Sequence, residues 1–122
     1  MIRCYKLKSM PYAHAAVGIE EVNGELIAVH LYSYDTRVLR INLKTPPATL
    51  YCTGTYSRTT ARHINRFTTE FCGRNLYYEC KKAVNLTRGH CEAGVNAQID
   101  MRDVLTAAIW YKEHGKSFYS WN

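Results

Sequence analysis

The pair Asn23-Gly24 constrains this chain more than any other local feature. It sits between two runs of strand-compatible residues, Ala15-Ala16-Val17-Gly18-Ile19-Glu20-Glu21-Val22 and Glu25-Leu26-Ile27-Ala28-Val29-His30-Leu31-Tyr32. A two-residue hairpin loop needs positive φ at both central positions, which Asn tolerates and Gly adopts freely, so the two runs are predicted to be antiparallel neighbours. Ser33-Tyr34-Asp35-Thr36 reads as a second turn. It leads into residues 37–44, where Leu39, Ile41 and Leu43 alternate with Arg40, Asn42 and Lys44 in the pattern of a half-buried strand. Pro46-Pro47 stops that strand, and Thr49-Leu50-Tyr51-Cys52-Thr53 is predicted as a fourth, running through Gly54 toward a helix.

That helix is predicted over residues 57–72. Ala61, Ile64, Phe67 and Phe71 recur at three- and four-residue spacing, and Arg58, Arg62 and Arg66 line the other side. Ser57 or Thr59 can cap its start, and Gly73 is placed to end it in a left-handed conformation. Residues 76–86 read as a short helix and residues 87–98, with Gly89, Gly94 and the pair His90-Cys91, as an irregular loop. Asp100 caps a last helix carrying Met101, Val104, Leu105, Ala108, Ile109 and Lys112, which Gly115 ends. The tail of residues 117–122 is too aromatic for a solvated terminus and is expected to pack on the domain or on a second subunit. The expected architecture is a single α+β domain over residues 1–122. A mainly antiparallel four-stranded sheet is packed by the helix 57–72 and completed by one or two further C-terminal helices.

A chain of 122 residues can bury a real core without disulfides or metal. It has no run of about 18 apolar residues, so no membrane span is expected, and its N-terminus lacks the apolar stretch of a signal peptide. Both point to the cytosol. Cys4, Cys52, Cys72, Cys80 and Cys91 form an odd, irregularly spaced set, which suits small buried apolar residues in a reducing compartment. The net charge is +6, and most of it lies in residues 57–91. There Arg58, Arg62, Arg66, Arg74, Lys81, Lys82 and Arg88 stand against only Glu70 and Glu79. Such asymmetry favours encounter with a polyanion and says nothing about fold.

Chemistry concentrates at the start of the basic helix. The first backbone N–H groups of a helix lack intrahelical partners and carry the positive end of its dipole, which suits a phosphate or carboxylate. Ser57, Arg58, Thr59, Thr60, Arg62 and His63 gather there, and capping alone needs only one of the hydroxyls. Three arginines at i,i+4 spacing also repel one another, which a nearby anion would relieve. Tyr32, Tyr34, Tyr51 and Tyr56 lie near this helix in sequence, and Tyr34 or Tyr56 offers a flat face on which a base could stack. A Walker A loop is excluded, since neither its glycines nor its Gly-Lys-Ser/Thr ending is present. Cys72, Cys80, His90 and Cys91 supply metal-ligand chemistry without the paired spacing that chelation needs, so no metal and no cofactor are expected. His14, His30, His63, His114 and the neighbours His90-Cys91 match no catalytic triad or carboxylate-pair spacing, and no enzyme activity is expected.

The pairing of Ser33-Tyr34-Asp35-Thr36-Arg37-Val38 with Tyr56-Ser57-Arg58-Thr59-Thr60-Ala61-Arg62-His63-Ile64-Asn65-Arg66-Phe67 resembles small phage and prophage proteins that carry an SYxTxV strand followed by YSxTTxxHxxxF. The resemblance covers about residues 26 to 72 and brings no activity with it. What it implies is a setting, the cytoplasm of an infected bacterial host, where small phage accessory proteins often block defence. The expectation is therefore an anti-defence protein that binds and sequesters a phosphorylated, cyclic nucleotide signal without cleaving it. A homo-oligomer is expected to enclose the ligand. The alternative is an anti-CRISPR protein or another inhibitor of a nucleic-acid-containing defence complex.

Overall fold

The computed structural model describes residues 1–54, 56–87 and 92–121. In chain order they form β1 (Ile2–Lys6), β2 (Ala15–Val22), β3 (Glu25–Ser33), β4 (Thr36–Asn42), β5 (Thr49–Cys52), α1 (Arg58–Cys72), α2 (Tyr77–Thr87), β6 (Ala93–Gly94), α3 (Met101–His114) and β7 (Ser117–Trp121). The α+β class and the antiparallel sheet stand as read from the sequence, but the sheet is larger than four strands. Its order is β6-β5-β4-β3-β2-β1-β7, and every neighbouring pair is antiparallel. Three strands escaped the sequence reading. β1 lies in an N-terminal segment interrupted by the basic residues Arg3, Lys6 and Lys8, β6 is only two residues within the stretch read as loop, and β7 is the aromatic tail. That tail packs on the domain by pairing along β1, Cys4 opposite Tyr119 and Ile2 opposite Trp121.

Both hairpin turns form where the sequence places them. Asn23 and Gly24 take φ of +52° and +80°, and Val22 pairs with Glu25. At the next turn Tyr34 and Asp35 take φ of +51° and +69° between Ser33 and its partner Thr36. Two successive positive φ values give the loop the twist a two-residue hairpin demands, although a tyrosine in this region carries a steric cost of about 1–2 kcal/mol.

The three helices pack on the sheet face that carries Val17, Val29, Leu31, Leu39, Ile41 and Leu50. Into that face α1 sets Ile64, Phe67 and Phe71, all without solvent exposure, while α2 adds Cys80, Ala83 and Val84 and α3 adds Val104, Ala108 and Tyr111. Phe71 stacks on Tyr111 at 5.6 Å between ring centres and lies 4.7 Å from Phe67. Polar contacts fix the helix ends. Buried Thr68 donates to the Ile64 carbonyl and accepts from the Leu76 N–H, tying α1 to the turn that leads into α2. Glu70 accepts from the Tyr111 hydroxyl and from the Ser9 backbone N–H, and the Tyr111 oxygen accepts from the Lys8 N–H at 2.8 Å. One carboxylate thus joins α1, α3 and the loop after β1. The described cysteines Cys4, Cys52, Cys72 and Cys80 are all buried free thiols, and burial pushes the Cys72 thiol up to about 12. No described helix is long and apolar enough to cross a membrane.

The burial of α1 gives a direct test. Phe67→Ala should lower the unfolding free energy in urea by about 3–5 kcal/mol, the range for losing a fully packed aromatic side chain. Leu86→Ala, on the outward side of α2, should change it by less than about 0.5 kcal/mol.

Candidate functional site

The turn between β3 and β4 meets the first two turns of α1, and this junction brings together most of the residues singled out from the sequence. Ser57 is the N-cap of α1, its hydroxyl oxygen accepting from the Thr60 N–H at 3.1 Å. Its own hydroxyl donates to Thr60 Oγ1 at 3.1 Å. Thr60 Oγ1 lies 3.1 Å from Ser33 Oγ, and Ser33 Oγ lies 2.8 Å from His63 Nδ1. A head-to-tail assignment, Ser57 to Thr60 to Ser33 to His63, uses every hydroxyl proton once and makes Nδ1 the acceptor. The ring proton then sits on Nε2, which is buried and has no hydrogen-bond partner.

The eight proposed ligand residues therefore divide. Thr60 and His63 are withdrawn into the interior, His63 with no exposed surface. Ser57 is engaged as a cap, and Thr59 is half-buried. Tyr56 turns toward the core near Tyr77, 6.3 Å between ring centres, and burial followed by the neighbouring Cys52 raises its phenol pKa strongly. Thr60 and His63 face the interior: the Thr60 hydroxyl and N–H and the His63 Nδ1 are engaged within the fold, while His63 Nε2 is buried without a partner. Helical spacing carried the signal, since Thr60, His63, Ile64, Phe67 and Phe71 fall on one face.

Arg58, Arg62 and Tyr34 remain at the surface. Tyr34 is 54% exposed, stacks on His14 at 5.3 Å with 27° between rings, and lies 5.9 Å from the His63 ring. Arg58 and Arg62 are exposed and make no ion pair among the described residues, and the first turn of α1 holds no acidic side chain. Ser57 caps only the Thr60 N–H, and among the described residues the Arg58 and Thr59 N–H groups have no acceptor at the positive end of the helix dipole. His14 was read only as a possible base. Its place under Tyr34 follows from the strand ladder, in which the Tyr34 N–H donates to the His14 carbonyl at 2.9 Å.

Ser33 and His63 have the atoms of a nucleophile and base, but Ser33 is buried and the far nitrogen of His63 meets no carboxylate. The arrangement suits holding a helix in place rather than attacking a substrate. Cys72 and Cys80 are the described members of the metal set; His90 and Cys91 lie outside the described residues, as does Arg88 of the basic stretch. Among the described residues no three His, Cys, Asp or Glu side chains gather as metal ligands would.

A second polar assembly lies on the sheet face turned away from the helices, built from strand positions that alternate with the core. His30 pairs with Arg40 in the ladder, and Arg40 with Tyr51. Arg40 lies over the Tyr51 ring at 4.5 Å and grips Glu92 with two nitrogens, at 2.7 and 3.2 Å. The Glu92 carboxyl is held below its usual pKa range, mainly by that hydrogen-bonded guanidinium. His30 is buried, with Nε2 2.7 Å from Glu20 Oε1 and Nδ1 unpartnered. Arg40 is committed within the fold, in contrast to Arg58 and Arg62.

Residues 5–85 match the model of a family of unknown function, DUF8033, and the chain belongs to that family. The matched span includes both the 33–38 and the 56–67 segments. No curated protein and no solved structure matches the chain.

Burial lowers the pKa of both His30 and His63 below the ordinary 6.5. The folded chain keeps these rings neutral at a pH where the unfolded chain protonates them, so the unfolded state binds more protons. Stability should therefore fall as pH drops from about 6.5 toward the folded-state values. Urea midpoints measured across that interval should show this slope, and His30→Gln and His63→Gln should each flatten it.

Proposed function

We propose that this member of the DUF8033 family is a phage-encoded anti-defence protein that binds and sequesters a phosphorylated, cyclic nucleotide signal without chemistry. The observation that carries the reading is the junction of the β3–β4 turn with α1. An exposed tyrosine stacked on a histidine lies 5.9 Å from the ring of His63, next in α1 to Arg62, and among the described residues neither Arg58 nor Arg62 makes an ion pair. Phosphates would take Arg58, Arg62 and the Arg58 and Thr59 N–H groups, because ionised acceptors form their strongest hydrogen bonds with guanidinium and helix-terminal donors. The base would stack on Tyr34, a contact worth about 1–3 kcal/mol in comparable single-strand sites. Thr60, His63 and Ser33 act from behind, fixing the turn relative to the helix. The resemblance of residues 26–72 to small phage and prophage proteins supplies the setting. A homo-oligomer would enclose the ligand that this open surface leaves exposed.

The test is incubation of the protein with a panel of cyclic and linear signalling nucleotides, followed by chromatography before and after heat denaturation. A nucleotide that disappears and returns intact on heating supports sequestration, and one converted to product identifies an enzyme. With a retained nucleotide in hand, Arg58→Ala, Arg62→Ala and Tyr34→Ala should each weaken binding by about tenfold or more, ~1.4 kcal/mol. Unchanged affinity in all three would remove the site. Binding of single-stranded nucleic acid that falls steeply with added salt, in place of nucleotide retention, would favour the nucleic-acid or defence-complex alternative.

A further inference from the structure

His63 is the inner end of a hydrogen-bonded chain whose outer end lies at the surface. Ser57 is exposed, Thr60 and Ser33 are only 8% and 4% exposed, and His63 is fully buried. In the assignment given above every proton points inward, from Ser57 to Thr60 to Ser33 to Nδ1. The reverse assignment also uses each proton once. With a proton on Nδ1 the ring donates to Ser33 at 2.8 Å, Ser33 donates to Thr60 at 3.1 Å, and Thr60 turns back toward Ser57, also at 3.1 Å. The Ser57 hydroxyl proton is then left pointing outward. Its oxygen still accepts from the Thr60 N–H, so the reversal rotates hydroxyls without moving α1. A histidine tautomer is ordinarily fixed by what the second nitrogen meets. Here Nε2 has no partner in either arrangement, and the direction of the chain alone decides where the proton sits.

We propose that this chain couples an anion at the start of α1 to a proton on His63 Nδ1. The inference rests on the anion reading of that helix start and adds its control. An anion there accepts the outward Ser57 proton, which the inward arrangement withholds. An imidazolium carries a proton on both nitrogens and cannot accept from Ser33, so protonating His63 enforces the outward arrangement and readies Ser57 for the anion. The proton taken up comes from solvent, and only hydrogen bonds change. Coupling between two sites is reciprocal, so the anion favours the proton by the same factor as the proton favours the anion. The groups facing the ring are Ser33 and Tyr34 at the β3–β4 turn, His14 from the segment before β2, and Thr60 from α1 itself. Burial, and then the charge of His14, hold the ring below its ordinary pKa of 6.5, and an anion nearby works against that. Anion binding therefore tightens as pH falls.

Nitrogen NMR of the labelled protein tests this with sodium sulfate, an anion whose charge does not change over the interval, against sodium chloride at equal ionic strength. The Thr59 amide reports whether sulfate is bound, and the two ring nitrogens of His63 report where its proton sits. Sulfate should move the Thr59 amide and shift His63 toward a protonated Nδ1, and it should bind about threefold or more tightly at about pH 5 than at about pH 7.5. Thr60→Val exchanges the hydroxyl for a methyl while keeping the backbone N–H that Ser57 caps, and at saturating sulfate it should abolish the His63 response. Ser57→Gly removes the outer hydroxyl at small cost to the helix and should do the same. A Thr59 shift with an unchanged His63 ring would overturn the coupling and leave the anion site standing, whereas no Thr59 shift would remove both. A His63 response that persists in both variants would assign it to charge acting through space, from His14 or the anion itself, and overturn the role of the chain.

Discussion

The hydrogen bonds that run from Ser57 through Thr60 and Ser33 to His63 are the constraint on which the junction of α1 with the β3–β4 turn depends. The links from Thr60 through Ser33 to His63 are buried, so a shift of α1 against β3 would orphan several polar groups at once, each costing about 1–3 kcal/mol. The phenylalanines of α1 are fully buried, but apolar packing is tolerant of small rotations. The polar chain is not. It sets the helix start against the β3–β4 turn and thereby decides how far Tyr34 stands from Arg58 and Arg62.

This changes the meaning of the two motif segments. Read as sequence, Ser33 and Tyr34 belong to a strand and a turn, and Ser57, Thr60 and His63 to a helix start, with nothing to say that they touch. In the fold they are one assembly, with the inner residues holding and the outer ones displayed. Hydroxyls and an imidazole are as useful for joining two elements as for holding an anion, and residue type alone does not separate these uses. Helical phase does, because Thr60 and His63 share the face of Ile64, Phe67 and Phe71 while Arg58 and Arg62 do not.

Local signals were legible and distant pairings were not. Asn23-Gly24, the periodicity of residues 57–72, the Ser57 and Asp100 caps and the stop at Gly73 all act within a few residues, and each appears where the chain predicts it. β1, β6 and β7 exist because of partners far along the chain. Ile2–Lys6 holds two basic residues in five and declares itself only through its partners β2 and β7, and Ala93–Gly94 is a strand only by virtue of β5. The same holds for the Arg40, Tyr51 and Glu92 assembly, whose members come from three separate segments. The sign of a side chain could be read, but not whether its charge was already neutralised. That difference separates Arg40 from Arg58.

The pairing of β1 with β7 also orders events during synthesis. β1 is made first, yet one side of it waits for residues 117–121, so while the rest of the chain emerges its outer edge is held by no strand of its own. The hairpins β2–β3 and β3–β4 can close as soon as they leave the ribosome, because their contacts are near in sequence. The nascent domain thus passes through a stage with a built sheet and an open N-terminal edge, the interval in which a chaperone or a second nascent copy would find a strand to pair with.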